Sequence, residues 1–194
     1  MLTDEERQEL LRLARQSVET SVRHRQDRVP GGNRAARQDV RTFRGRLAEP
    51  GGAFVTIHVG ADLRGCIGYI ESPLPLGEVV WEVAEKAALE DPRFPPMTET
   101  ELGDSSLEVS VLSPLRKIVD VNEIQVGTHG ILLELGHRRG LLLPQVATEQ
   151  GWDRQRFLEG TARKAGLPRD AWKDPEASLY IFSADIVQEE HHVH

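Results

Sequence analysis

Cysteine is nearly absent: Cys66 is the one thiol in 194 residues. A single cysteine excludes an internal disulfide, a Cys-x-x-Cys dithiol and a cysteine-ligated iron–sulfur cluster. Aromatic residues make up only 5%, so the core of a globular chain has to be aliphatic. Long apolar runs are missing too, and no segment reaches the roughly 18 residues of a membrane-spanning helix. The N-terminal run Met1-Leu2-Thr3-Asp4-Glu5-Glu6 is acidic and polar, unlike a secretory signal. With one thiol and no export signal, a reducing, cytoplasmic location is expected. A phosphate loop and a dinucleotide glycine fingerprint are also lacking, since Gly31-Gly32 has no flanking strand and helix. No cofactor and no metal are expected. His191-His192-Val193-His194 has ligand chemistry but follows two glutamates at the chain end, and reads as a solvated tail.

The formal net charge is −7, unevenly spread. Residues 1–46 carry 11 arginines against 7 acids, and the remainder carries 13 basic against 24 acidic groups. Such asymmetry can mark a nucleic-acid arm, here Arg23, Arg25, Arg28, Arg34 and Arg37. Against that reading, acids interleave with the arginines and no aromatic platform accompanies them. Twenty of the 24 basic residues are arginine, which fits an arginine-rich proteome rather than a dedicated site.

What is present is clear patterning. Thr3-Asp4-Glu5-Glu6 forms a capping box ahead of Leu10, Leu11, Ala14, Val18 and Val22 at helical spacing. Val29-Pro30-Gly31-Gly32-Asn33 ends that helix, and residues 29–50 read as an irregular connection. A hairpin follows, Ala53–Val59 and Leu63–Ile70. Leu76 to Ala88 is amphipathic and stops before Asp91-Pro92. Leu107–Val111 alternates as a strand, and residues 130–135 and 140–143 form a second hairpin. Pro144 opens one helix, with Gly151 as its cap. Asp153 caps the next, with Trp152 and Phe157 as a staple. That helix closes at Gly166, and residues 178–187 form a last strand. The order α-ββ-α-β-ββ-αα-β, with hairpins and no βαβ alternation, indicates an α+β fold. Mainly antiparallel sheets with flanking helices are expected, in one domain or two closely packed lobes.

Within the first hairpin lies the run Leu63-Arg64-Gly65-Cys66-Ile67-Gly68. Alternation places Arg64, Cys66 and Gly68 on one face. A two-residue turn puts Cys66 with Val55, Ile57 and Val59; a three-residue turn puts it with Phe54, Thr56 and His58. Either face contains apolar groups, so cover on both sides of the sheet is expected.

This run resembles the signature of the AMMECR domain family, the protein A type of AmmeMemoRadiSam systems. Five further segments fit the family pattern. They are Asp91-Pro92-Arg93-Phe94-Pro95-Pro96, Glu108-Val109-Ser110-Val111-Leu112-Ser113-Pro114, Val126-Gly127-Thr128-His129-Gly130, Gly140-Leu141-Leu142-Leu143-Pro144-Gln145-Val146-Ala147 and Glu149-Gln150-Gly151-Trp152-Asp153. Arg163-Lys164-Ala165-Gly166 lies beyond them. The resemblance spans residues 5–187, leaving 188–194 as a tail. It implies an α+β fold with two lobes and the signature near the groove between them. No reaction is assigned to the family. The resemblance also implies a pathway shared with Memo-type and radical-SAM proteins. Tyr69 stands where many members carry threonine.

Two functions are open at this level. In one, a small molecule is bound or transformed in the groove. Cys66 is then the nucleophile, its thiol activated by Arg64 on the same face, and His129 is the base. Arg64, Arg93 and Gln145 bind the ligand, the arginines gripping an anion. In the other, the protein is a non-catalytic accessory module. Cys66 is then a small core residue, His129 satisfies loop backbone groups, Arg93 pairs with Asp91, and Gln145 caps the preceding hairpin.

Overall fold

Local chemistry sets most of the elements of the computed structural model, which describes residues 1–25 and 42–190. The expected break at Val29–Asn33, the arginines Arg28, Arg34 and Arg37, and the histidine tail lie outside the described residues. Helix α1 runs Asp4–Arg23, with both halves of the Thr3/Glu6 capping box formed. β1 is Ala53–Val59, β2 is Asp62–Tyr69 and α2 is Leu76–Leu89. β3 is Ser105–Leu112 and β4 is Arg116–Ile118. β5 is His129–Leu135 and β6 is Arg138–Leu142. α3 (Pro144–Gln150) ends on Gly151, whose φ of 63° is the left-handed geometry glycine tolerates. α4 spans Arg154–Lys164 under an Asp153 cap, and β7 is Ser178–Gln188.

Two points differ from expectation. β4 was not anticipated: three residues carry too little pattern to stand out, and the strand exists because it pairs with Leu179–Ile181 of β7. The tail also starts later than residue 188. β7 reaches Gln188, and beyond it Glu189 is fixed by its amide to Leu107 O (3.0 Å) and by the Arg15 guanidinium.

The chain forms two compact units, Met1–Val111 with the C-terminal stretch from Asp185, and Leu112–Ala184. β7 runs through both. In the first unit the antiparallel order is β2-β1-β3, with the end of β7 beside β3. Ala53, Val55 and Ile57 of β1 and Leu107, Val109 and Val111 of β3 face α1 and α2. Each buried aliphatic side chain there contributes about 1.5–3 kcal/mol of transfer free energy. In the second unit the order is β4-β7-β5-β6, all antiparallel. Ile131, Leu133, Leu179 and Ile181 form its core with Phe157, Leu158 and Ala162 of α4. Trp152 and Phe157 join this cluster as the staple requires.

Candidate functional site

The signature hairpin closes on a two-residue turn, because Val59 pairs with Asp62 and leaves Gly60-Ala61 as the loop. Yet Cys66 pairs with Thr56, which the simple alternation assigns to a three-residue turn. The register changes within β2: His58 opposes Leu63 and Ile57 opposes Gly65, so Arg64 has no partner and forms a bulge. One extra residue flips every side chain after it to the other face. Cys66 therefore shares a face with Phe54, Thr56 and His58, and with Ser106, Glu108 and Ser110 of β3. Helices cover the opposite face of the sheet. This face is polar and half-buried rather than packed with apolar groups, apart from Ser110, whose hydroxyl is fully buried without a protein partner among the described residues.

Each signature residue has a packing reason. A Cβ on Gly65 would stand 2.1 Å from the Ala87 carbonyl oxygen, so α2 lies directly on the strand there. Ile67 joins the helix-covered core. A Cβ on Gly68 would stand 2.3 Å from the Phe54 ring, which occupies the place of the absent side chain. The Cys66 thiol lies 3.3 Å from Thr56 Oγ1.

The free edge of β2 is closed by a carboxylate. Asp91 Oδ2 accepts the Cys66 amide (2.9 Å) and Arg93 Nη2 (2.7 Å). Its Oδ1 accepts the amide and the Nε of Arg93, both at 3.0 Å. These bonds hold the Asp91 carboxyl down at about 2, with the Arg93 hydrogen bonds the largest cause, and push the Arg93 guanidinium up. Arg64 is held in the same way: its Nε and Nη2 grip Glu101 at 2.7 and 3.2 Å, and its Nη1 is buried without a protein partner among the described residues. Both guanidiniums lie over the Phe94 ring, at 5.9 Å for Arg64 and 5.4 Å for Arg93.

Burial pushes the Cys66 thiol above its ordinary value, opposed by the Thr56 hydrogen bond and by the charge of Arg93. The cation acting on the thiol is thus Arg93, reached through the Asp91 turn, whereas the bulged Arg64 is committed to Glu101. His129 opens β5 in the second unit, where its Nδ1 accepts the Gln125 amide (3.0 Å) and its own amide donates to Gln125 O (2.9 Å). Gln145 is the second residue of α3, and its carbonyl accepts from Thr148 Oγ1 (2.9 Å). Tyr69 OH donates to Glu82 Oε1 (2.8 Å) and accepts from Lys86 Nζ (2.6 Å), a contact on which no small hydroxyl could draw.

The structure thus joins Cys66 to Arg93 through Asp91, and places His129 and Gln145 in the other unit. Thr56 and Glu101 were missed as partners. Thr56 was visible only as one of two registers. Glu101 carried a readable signal, the Thr98-x-x-Glu101 capping box, which forms around a short 3-10 turn. Among the described residues no three His, Cys, Asp or Glu side chains gather as a metal site, and no helix is long and apolar enough to cross a membrane.

Helix-backed antiparallel strands and a bulged hairpin sealed at its edge by Asp91 define an α+β protein of the signature type. The family model AMMECR1 matches residues 11–187, and the chain belongs to that family. It is 43% identical over 196 aligned positions to a protein of Methanothermobacter thermautotrophicus, covering 97% of each chain. It is 48% identical over 154 positions to Protein MK0488 of Methanopyrus kandleri, covering 75% of this chain and 74% of that one. Among solved structures, Uncharacterized Protein PH0010 from Pyrococcus horikoshii shares 38% identity with a TM-score of 0.80, covering 94% and 90% of the two chains.

Proposed function

We propose that this protein is a non-covalent binding component of a pathway shared with Memo-type and radical-SAM proteins, and that Cys66 is a neutral thiol rather than a nucleophile. The observation that carries this reading is the occupation of both arginines. Arg64 and Arg93 each commit Nε and Nη2 to a carboxylate, so neither offers that fork to an anion or a thiolate, while Arg64 Nη1 is buried without a protein partner among the described residues. Burial of the thiol acts in the same direction. The Cys66 face of the β2-β1-β3 sheet offers a ligand the Thr56 hydroxyl and a neutral thiol, beside the Phe54 ring. Membership of the family supports the pathway partners. Iodoacetamide alkylation across pH tests the reading. Modification of Cys66 is slow at neutral pH and accelerates only at a higher pH than that of a free thiol under the same conditions. Rapid labelling with an apparent pKa below about 8 overturns it in favour of an activated nucleophile.

A further inference from the structure

The arginines of this chain are not placed alike. In the first unit Arg7, Arg12, Arg15, Arg64 and Arg93 each hold a carboxylate. The end of α4 differs. Arg163, Lys164 and Arg169 are exposed, and among the described residues they form no ion pair. Arg138, the first residue of β6, reaches the end of α4, its Nη1 donating to Gly166 O at 2.5 Å. β6 is held there by close packing: a Cβ on Gly140 would stand 2.5 Å from the Ala165 nitrogen.

Helix electrostatics explain part of this cluster. Arg163 and Lys164 lie in the last turn, where the macrodipole favours cations, and Arg138 caps an end carbonyl. They explain neither Arg169, three residues past Gly166, nor the absence of ion pairs among the described residues. Glu159, one turn before Arg163, accepts from Gln155 (3.1 Å), and Glu134 is paired with Arg139 (3.2 Å). Asp170, adjacent to Arg169, forms no ion pair among the described residues.

We infer that this corner of the second unit, formed by Arg138, Arg163, Lys164 and Arg169, is a docking surface for an acidic segment of a partner protein. Charge complementarity carries the choice. The chain as a whole is at −7 and repels such a segment, so a corner in which four cations outnumber Glu159 and Asp170 fixes where it lands and how it is oriented. Single-stranded nucleic acid fits less well, because the nearby Trp172 ring is half-buried with Lys173 Nζ over it at 5.2 Å and offers no open stacking face.

Fluorescence anisotropy of labelled deca-glutamate and labelled oligo-uridine against the full chain tests the assignment. Deca-glutamate binds at about 20 mM salt and weakens steeply by about 200 mM. The double substitution Arg163→Glu with Lys164→Glu weakens binding about tenfold or more, and lowers the thermal midpoint by only a few degrees, about the loss of two cations from the end of α4. Lys117→Glu on β4, an exposed cation outside the patch, leaves binding intact. Should the double variant fail to fold, Arg169→Glu in the following loop gives the same reading. Salt-insensitive binding, binding that survives these changes or is lost equally with Lys117→Glu, or tighter binding of oligo-uridine overturns the proposal.

Discussion

Replacing Asp91 by asparagine removes the charge on which the edge of the signature hairpin depends, while keeping the shape. The side chain is 2% exposed and accepts four hydrogen bonds, one from Cys66 and three from Arg93. An asparagine amide turns a donor toward one of those groups, leaving either the Cys66 amide or the guanidinium unmatched. Arg93 is half-exposed and recovers water, so the loss falls short of a fully buried ion pair. A destabilisation of about 2–4 kcal/mol follows. The acid limb gives an independent measure. The Asp91 carboxyl lies at about 2 in the folded protein against an ordinary 3.8, a depression worth about 2 kcal/mol. A depressed carboxyl binds its proton less readily when folded. Its contribution is therefore complete above about pH 5 and is lost as pH falls through 4 toward 2. Denaturant unfolding of both proteins at pH 7 and in steps down to about pH 3 reads this out, and the gap between them narrows as pH falls. Amide exchange at Cys66, fast in the variant, localises the effect. Stabilities within about 0.5 kcal/mol at pH 7, or parallel acid limbs, refute the reasoning.

Other substitutions separate packing from charge. Gly65→Ala drives a Cβ into the Ala87 carbonyl and costs about 3 kcal/mol or unfolds the unit, whereas Gly103→Ala, with nothing within 4 Å, is neutral within about 0.5 kcal/mol by denaturant unfolding. Glu101→Ala strands Arg64, whose side chain is only 13% exposed, and costs about 2–4 kcal/mol in the same assay. Thr3→Ala removes the N-cap of α1 and costs about 1 kcal/mol, seen as a lower thermal midpoint.

What was legible in the sequence was chemistry that acts within a few residues. The Thr3 capping box, the Gly151 and Gly166 helix ends, and the Trp152–Phe157 staple are each set by neighbours within one or two turns, so spacing alone reveals them. β4 escaped because a three-residue strand is made by its partner, and that partner lies more than 60 positions away. The ion pairs escaped for a related reason. Arg64 and Glu101 are 37 residues apart, and nothing in either segment says that a basic bulge and a capping glutamate will meet.

The bulge shows how a single local choice governs the functional reading. Alternation through Leu63–Gly68 puts Arg64 and Cys66 side by side, which suggests an arginine-activated thiol. With Arg64 unpaired, the alternation restarts at Gly65. Glycine, the one residue α2 tolerates at its closest approach, is placed inward, and Cys66 is turned to the polar face. The same extra residue leaves the Arg64 guanidinium to Glu101 and makes Arg93 the cation that acts on the thiol. A steric demand at Gly65, rather than a chemical demand at Cys66, is therefore sufficient to explain the order of residues in the signature. That ordering is consistent with a thiol that binds and packs, and it locates any activating influence in the Asp91–Arg93 turn.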